Sequence, residues 1–275
     1  MALATIRAGL RTLVVAVAVV AVAGCEVRAG GDGDFSFGVW QGSAEDTWER
    51  TYEVTPGGRV EILNVNGEIR AEASPEGPVQ VRAERRVRAG SDEAAREQLA
   101  RLELREEVGP SRVRVETIAP RGRWGGGHRV IYTVRVPAGV HVDLRTVNGG
   151  VRLDNVGGEV RATATNGGVH GRVADVTLLD ARTTNGGVDV EVAGAIAADG
   201  RVSLASVNGG VRLAVPDGTR ADITARCTNG RVSVSDLDVV ADGDVTRRRL
   251  SGRLNGGGAR IDLQTTNGGV TIRRS

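Results

Sequence analysis

Three histidines, two cysteines and a basic complement made wholly of arginine set the chemistry open to this 275-residue chain. With no lysine there is no Schiff base and no phosphate-binding Gly-x-x-x-x-Gly-Lys loop. No His-Glu-x-x-His, Cys-x-x-Cys or Gly-x-Ser-x-Gly run occurs, so the common zinc, redox and serine-hydrolase signatures are missing. His128, His141 and His170 fall in a glycine-rich loop and on outward strand positions, with nothing to unite them as ligands. The acids Asp236, Asp238, Asp242 and Asp244 do not follow calcium-loop spacing, and the Gly-Gly phrases lack the recurring Gly-x-Asp of calcium-binding rolls. The expectation is a non-enzyme without metal or cofactor.

Two places retain chemistry. Cys25 ends Val22-Ala23-Gly24-Cys25, after a positive segment with Arg7 and Arg11 and an apolar run from Leu13 to Ala23. Eleven residues rise only about 16 Å as a helix, half a bilayer core, so the run reads as an export signal. Small residues before the cysteine resemble the lipobox of bacterial lipoproteins, which implies acylation of the Cys25 thiol and removal of residues 1–24. Glu26, where such proteins carry aspartate for inner-membrane retention, leans the expectation towards the outer membrane. The second place is Trp124, flanked by Arg121 and Arg123 in a glycine loop, a candidate platform for a sugar or peptide.

Charge narrows the partners. The chain carries 36 basic and 34 acidic residues. Losing Arg7 and Arg11 with the signal leaves 34 against 34, so the mature protein is formally neutral. Arginines alternate with acids along strands, as at Arg112, Arg114 and Glu116, which reads as a solvated face and not a nucleic-acid site. Arg247-Arg248-Arg249 and Arg273-Arg274 are the dense exceptions, open either as a contact for an acidic polymer or as a soluble turn and tail.

The elements that must position these groups come from a repeat. Asn-Gly recurs at Asn66, Asn148, Asn166, Asn185, Asn208, Asn229 and Asn267, mostly as Asn-Gly-Gly-Val, with a degenerate copy at Asn255-Gly256-Gly257. Spacings near 20 that tolerate insertions mark a repeat architecture. Two residues before the asparagine stand Thr146, Ala164, Thr183, Ser206, Cys227 and Thr265, all small; four and six before, the residues are apolar. That is strand alternation running into a turn. By parity the asparagine amide points inward, where equivalent amides can form a ladder. Cys227 falls in the small column and reads as a core filler.

Asn-Gly between alternating strands is also a hairpin signal, so two all-β folds compete. The expected one is a β-solenoid at residues 142–275; the alternative is an antiparallel β-sandwich. Residues 25–46, rich in glycine and aspartate, read as a flexible tether. Residues 47–141 read as a β-rich capping region with one helix near 91–102, N-capped by Ser91.

The order Tyr52-Glu53-Val54, Pro56-Gly57-Gly58, Asn64-Val65-Asn66-Gly67, Ser91-Asp92-Glu93-Ala94, Val136-Pro137-Ala138-Gly139-Val140 and the closing Thr265-Thr266-Asn267-Gly268-Gly269 resembles the bacterial DUF4097 family of candidate adhesins. The resemblance spans about residues 50–275. It implies a β-solenoid-like envelope protein with no catalytic residue to carry over. The expected function is a lipid-anchored, non-catalytic envelope protein, an adhesin or scaffold, meeting the membrane through its N-terminal lipid and a surface partner elsewhere. A ligand-binding or stress-sensing module is the alternative, and a polysaccharide-active β-helix enzyme the remote one.

Overall fold

The computed structural model describes residues 26–29, 35–38, 42–119, 127–242 and 246–275. These fall into two compact units, the described parts of Met1–Asp46, Arg86–Arg101 and Pro120–His128, and those of Thr47–Arg85, Leu102–Ala119 and Arg129–Ser275.

In the smaller unit, β1 (Glu26–Ala29) and β2 (Phe35–Gly38) pair antiparallel. Strand β3 (Gly42–Tyr52) starts there too. The segment read as a tether therefore contains strand structure, because Val27, Phe35 and Phe37 alternate with polar residues. After β4 (Arg59–Asn66), β5 (Ile69–Ser74) and β6 (Val79–Ala89) comes helix α1 (Asp92–Ala100). The Ser91 hydroxyl accepts from the Ala94 N–H at 3.2 Å, and Asp92 and Glu93 occupy the positive first turn.

The larger unit continues with β7 (Glu103–Val108), β8 (Arg112–Ile118), β9 (Gly127–Pro137, from Arg129 onward in this unit), β10 (His141–Asn148), β11 (Val151–Asn166), β12 (Val169–Asn185), β13 (Val188–Val192), β14 (Ile196–Asn208) and β15 (Val211–Val215). It ends with β16 (Ala221–Asn229), β17 (Val232–Ser235), β18 (Val239–Ala241), β19 (Arg249–Leu254), β20 (Ala259–Asn267) and β21 (Val270–Arg274). Each coil is a strand, an Asn-Gly corner and a second strand. Successive coils pair in parallel and in register, so Asn148 lies beside both Asn66 and Asn166. The fold is a β-solenoid; parallel stacking of coils excludes the antiparallel sandwich.

Inward columns fill the space between the two strand layers. Val142, Leu144, Val160, Ala162, Leu179, Ala181, Val202 and Leu204 from first strands, and Val151, Leu153, Val188, Val190, Val211 and Leu213 from second strands, are all buried. The division drawn at residue 142 is not a boundary in the structure. Strand β4 pairs with β10 and β5 with β11, so the Asn66 corner belongs to the same stack, and β8 and β9 pair in parallel with β4 and β5 beyond it.

Coil order departs from chain order at the far end. Strand β20 pairs with β14 on one side and β16 on the other, placing the Asn267 corner between those of Asn208 and Asn229. The chain runs out to the last coil, folds back through β18 and β19, then inserts its final strands one coil earlier. Antiparallel β19 covers the edge of β16, and antiparallel β7 covers β8 at the other end. Both ends of the first layer are thereby shielded from edge-to-edge pairing. The degenerate Asn255-Gly256-Gly257 phrase is no corner. It forms the turn into β20, with Asn255 at φ 50° and its amide donating to the carbonyls of Asp217 and Thr219.

Corner geometry explains the repeat. A Cβ on Gly209 would lie 1.9 Å from the Gly186 carbonyl oxygen, and one on Gly149 would lie 2.0 Å from that of Gly67. The backbones of neighbouring coils therefore approach as closely as glycine allows. At the second glycine the space opens to 3.4 Å at Gly187 and 3.5 Å at Gly210. This is why Glu68 and Arg231 can stand at that position in two of the coils. The small column serves the same corner, because the hydroxyls of Thr146, Thr183, Ser206 and Thr265 donate to the first-glycine carbonyl one coil away, at 2.6–3.0 Å. Cys227, buried and unpaired as a thiol, takes the same column in the last coil.

At the Asn66 corner, Asn64 holds that column. Its amide donates to the carbonyls of Val130 and Gly67, while Thr117 bridges its oxygen to the Tyr132 hydroxyl at 2.7 Å. Burial pushes the fully buried Tyr132 phenol up to about 12. Stability from this neutral phenol is complete below its unfolded value near 10 and is lost as pH rises through about 12.

Two outcomes follow from this packing. Gly209→Ala should cost more than about 2 kcal/mol and Gly210→Ala less than about 1 kcal/mol in denaturant unfolding, so equal losses would contradict the corner argument. Tyr132→Phe should flatten the fall in melting temperature between pH 10 and 12 relative to the unchanged chain, which thermal melts at stepped pH would read.

Candidate binding surface

Stacking turns every outward residue into a member of a column. The asparagines form the clearest one. Each amide nitrogen donates to the side-chain oxygen of the next coil, from Asn148 to Asn66 at 2.7 Å and onward through Asn166, Asn185, Asn208, Asn267 and Asn229 at 2.8–2.9 Å. The ladder stands on the surface and not inside. Asn148, Asn166, Asn185, Asn208, Asn229 and Asn267 are exposed, because the chain turns at the corner and breaks the strand parity that aimed them inward. Backbone bonds beside it run the opposite way: the Gly67 N–H donates to the Asn148 carbonyl, and the Gly209 N–H to that of Asn267. Opposed bond directions at one corner keep the net dipole of the column small.

Next to this ladder lies an outward column of β-branched residues, with Val147 and Val207 each 43% exposed among Thr165, Thr184, Thr228 and Thr266. Further along the first strands, arginines and acids interlock both within a strand and across coils. Arg112 grips Glu61 through two hydrogen bonds, Arg145 does the same to the nearly buried Asp143, and Arg59 and Arg161 share Glu159. The Arg112 hydrogen bond holds the Glu61 carboxyl below its ordinary range. Burial works against Glu68, but Arg70 and Arg152 outweigh it and keep that carboxyl low as well. Single exposed pairs of this kind contribute under about 1 kcal/mol each. Their main effect is to leave the face neutral.

A shallow basin of about 470 Å³ opens on the outer side of the second strands. Its floor is Leu153 and Gly171, where β12 presses so near β11 that a Cβ on Gly171 would lie 1.9 Å from the Leu153 oxygen. Around it stand Arg152, Arg172, Arg273, His170, Asp154, Asp189 and Glu191. Arg172 pairs with Glu191 at 2.9 Å and Arg212 with Asp189 at 3.5 Å. Arg273 makes no ion pair among the described residues and donates only to the carbonyl of Arg274. His170 folds over its own corner, where its Nε2 fills the place a Gly168 side chain would take. The basin suits a small ligand bearing carboxylate and hydroxyl groups, held by charge-assisted hydrogen bonds.

Cys25, Trp124, Arg121 and Arg123 lie outside the described residues. The seven asparagines are brought into one line. The histidines are not brought together: His141 accepts the Glu159 N–H at Nδ1, His170 sits at the basin, and His128 belongs to the smaller unit. Among the described residues no cluster of three or more His, Cys, Asp or Glu side chains is placed to hold a metal ion, and no helix is long and apolar enough to cross a membrane. Sequence reasoning missed the basin. The signal available was Gly171, the lone glycine in a column otherwise held by Ala71, Leu153, Val190 and Leu213.

Acid should weaken the outer network. Glu61, Glu68 and Glu159 are held low, so their stabilisation is present above about 4.5 and lost as pH falls below it. Glu68→Gln should reduce the slope of stability against pH in that range, and an unchanged slope in acid titration melts would count against the network.

No curated protein matches the chain. Among solved structures, a candidate cell adhesion protein from Clostridium sporogenes is similar, with a TM-score of 0.49 and 13% identity over 84% of this chain and 100% of its own. A candidate adhesin from Bacteroides fragilis is similar at a TM-score of 0.39 and 12% identity, over 84% of this chain and 97% of its own. In keeping with the repeat and the corners described above, residues 137–273 match the family model for the Toastrack DUF4097 domain.

Proposed function

We propose that this chain is a lipid-anchored, non-catalytic protein of the bacterial cell envelope, an adhesin or scaffold that offers its stacked faces to a surface partner. The observation that carries the reading is the in-register lattice of exposed columns. Seven corners repeat the same asparagine and its β-branched neighbour at strand spacing, on a backbone locked by glycine contacts. Such a lattice meets a repetitive partner at many equivalent points without ordering cost at each one, so weak contacts add. The anchor rests on the sequence: Cys25 after an export-like apolar run, with the match to the Toastrack domain covering most of the solenoid.

A second reading is a ligand-binding or sensing module. The basin at Arg273 favours it, and Trp124 with Arg121 and Arg123 is its other candidate contact.

Expressed in a bacterial host, the full chain should incorporate labelled palmitate, and Cys25→Ser should abolish the label. The Cys25→Ser chain, without an acyl chain, should still sediment with isolated envelope fractions, and alanine at Asn166, Val147 and Val207 together should weaken that association severalfold. Persistent label in Cys25→Ser would remove the anchor. Sedimentation unchanged by the triple substitution would remove the lattice as the contact, and loss with Trp124→Ala or Arg273→Ala would favour the second reading.

A further inference from the structure

The Asn229 corner differs from every other in its charge. Arg231 replaces the second glycine there, and Arg226 stands three residues before the asparagine. The chain then returns through a tight turn in which Thr246 and Arg249 exchange backbone hydrogen bonds, with Arg247 and Arg248 at its tip. This turn lies against the corner: the Cys227 N–H donates to the Arg248 carbonyl and the Val232 N–H to that of Arg247. Arg226 and Arg249 are direct partners across the β16–β19 pair. Five arginines from three segments are thus gathered at one end of the stack, all exposed.

None of the five has an ion pair, or a hydrogen bond from its guanidinium, among the described residues, whereas Arg59, Arg112, Arg145, Arg172 and Arg201 on the other faces are interlocked with acids. Like charges directly opposite on paired strands are destabilising, so the Arg226–Arg249 pairing costs stability with no structural return. Among the described residues, the acids near the cluster along the chain that make no ion pair are Asp222, Asp236 and Asp238, while Asp242 is taken by Arg253.

An apolar concavity of about 330 Å³ adjoins the cluster, lined by Val232, Val234, Leu237, Val239 and Leu250 and closed by Thr246, the first residue of the arginine turn. The side chain of Val240, beside it in sequence, is 71% exposed. A soluble acidic polymer has no use for that floor. An amphiphile uses both halves, its phosphate on guanidinium forks and the start of its acyl chain on the aliphatic residues.

We infer that this end of the solenoid docks on an anionic phospholipid surface through Arg226, Arg231, Arg247, Arg248 and Arg249, with the adjoining apolar concavity entering the headgroup layer. The inference stands apart from acylation at Cys25, although one lipid chain with a basic patch is the usual combination for stable anchoring.

The test uses the full chain with Cys25→Ser, so that no acyl chain contributes, and vesicles of phosphatidylcholine with or without phosphatidylglycerol. Binding to the anionic vesicles should exceed that to neutral ones at least tenfold and fall steeply between about 50 and 200 mM salt. Replacing Arg247, Arg248 and Arg249 with glutamine should remove at least tenfold of it, with thermal melts unchanged or raised. Leu237→Gln should weaken vesicle binding but leave binding to heparin, a soluble polyanion, as it was. Equal binding to both vesicle types, or no effect of the arginine substitutions, would overturn the proposal. Heparin binding as tight as vesicle binding, with Leu237→Gln silent in both, would overturn it in favour of an acidic polymer.

Discussion

The structure depends on a backbone contact at the first glycine of each corner. A carbonyl oxygen of one coil occupies the place where a side chain of the next would begin, at 1.9–2.3 Å from the missing Cβ in six successive contacts. That distance fixes how coils stack, and stacking fixes register. With register set, the apolar columns meet in the core, the hydroxyls of Thr146, Thr183, Ser206 and Thr265 find the same glycine carbonyl, and the asparagine amides fall within hydrogen-bond reach. A slip by one residue would turn every inward valine to solvent.

Such a stack turns local sequence into surface pattern. Arginines that alternate with acids along a strand become a lattice of ion pairs within and across strands, with Glu159 shared by Arg59 and Arg161 from different coils. Each pair adds little stability, but together they make the faces neutral and polar, which keeps a long β surface from pairing with other chains. Where the pattern fails, the molecule offers something to a partner. At Gly171 it opens a basin, and at the Asn229 corner it leaves cations unpaired beside exposed aliphatic residues.

The insertion of β20 between β14 and β16 resolves a problem of ends. A last strand left at the edge would expose unpaired N–H and C=O groups along its length. Placing the closing strands one coil inside gives them partners on both sides, and the outer coil is covered by β19 from the connecting segment. That connecting segment also delivers Arg247, Arg248 and Arg249 to the corner, so a solution to edge protection becomes the source of the cationic end.

The sequence by itself determined the repeat and the inward columns and favoured the solenoid, because alternation and a recurring corner phrase are local properties that survive translation along the stack; the parallel pairing that excludes a sandwich came from the structure. Helix α1 was equally legible from Ser91, the acids after it and the stripe of Ala95 and Leu99. It also misled in places: parity aimed the asparagines inward, whereas the corner turns them out, and Asn255-Gly256-Gly257 looked like a coil that the fold uses as a simple turn. Tertiary structure alone decided that the Asn66 segment belongs to the same stack, that the chain's last strands sit one coil inside, and that five scattered arginines meet. The reason is physical. Which coil neighbours which is settled by long-range pairing and edge protection, and neither leaves a mark on the spacing of residues along the chain.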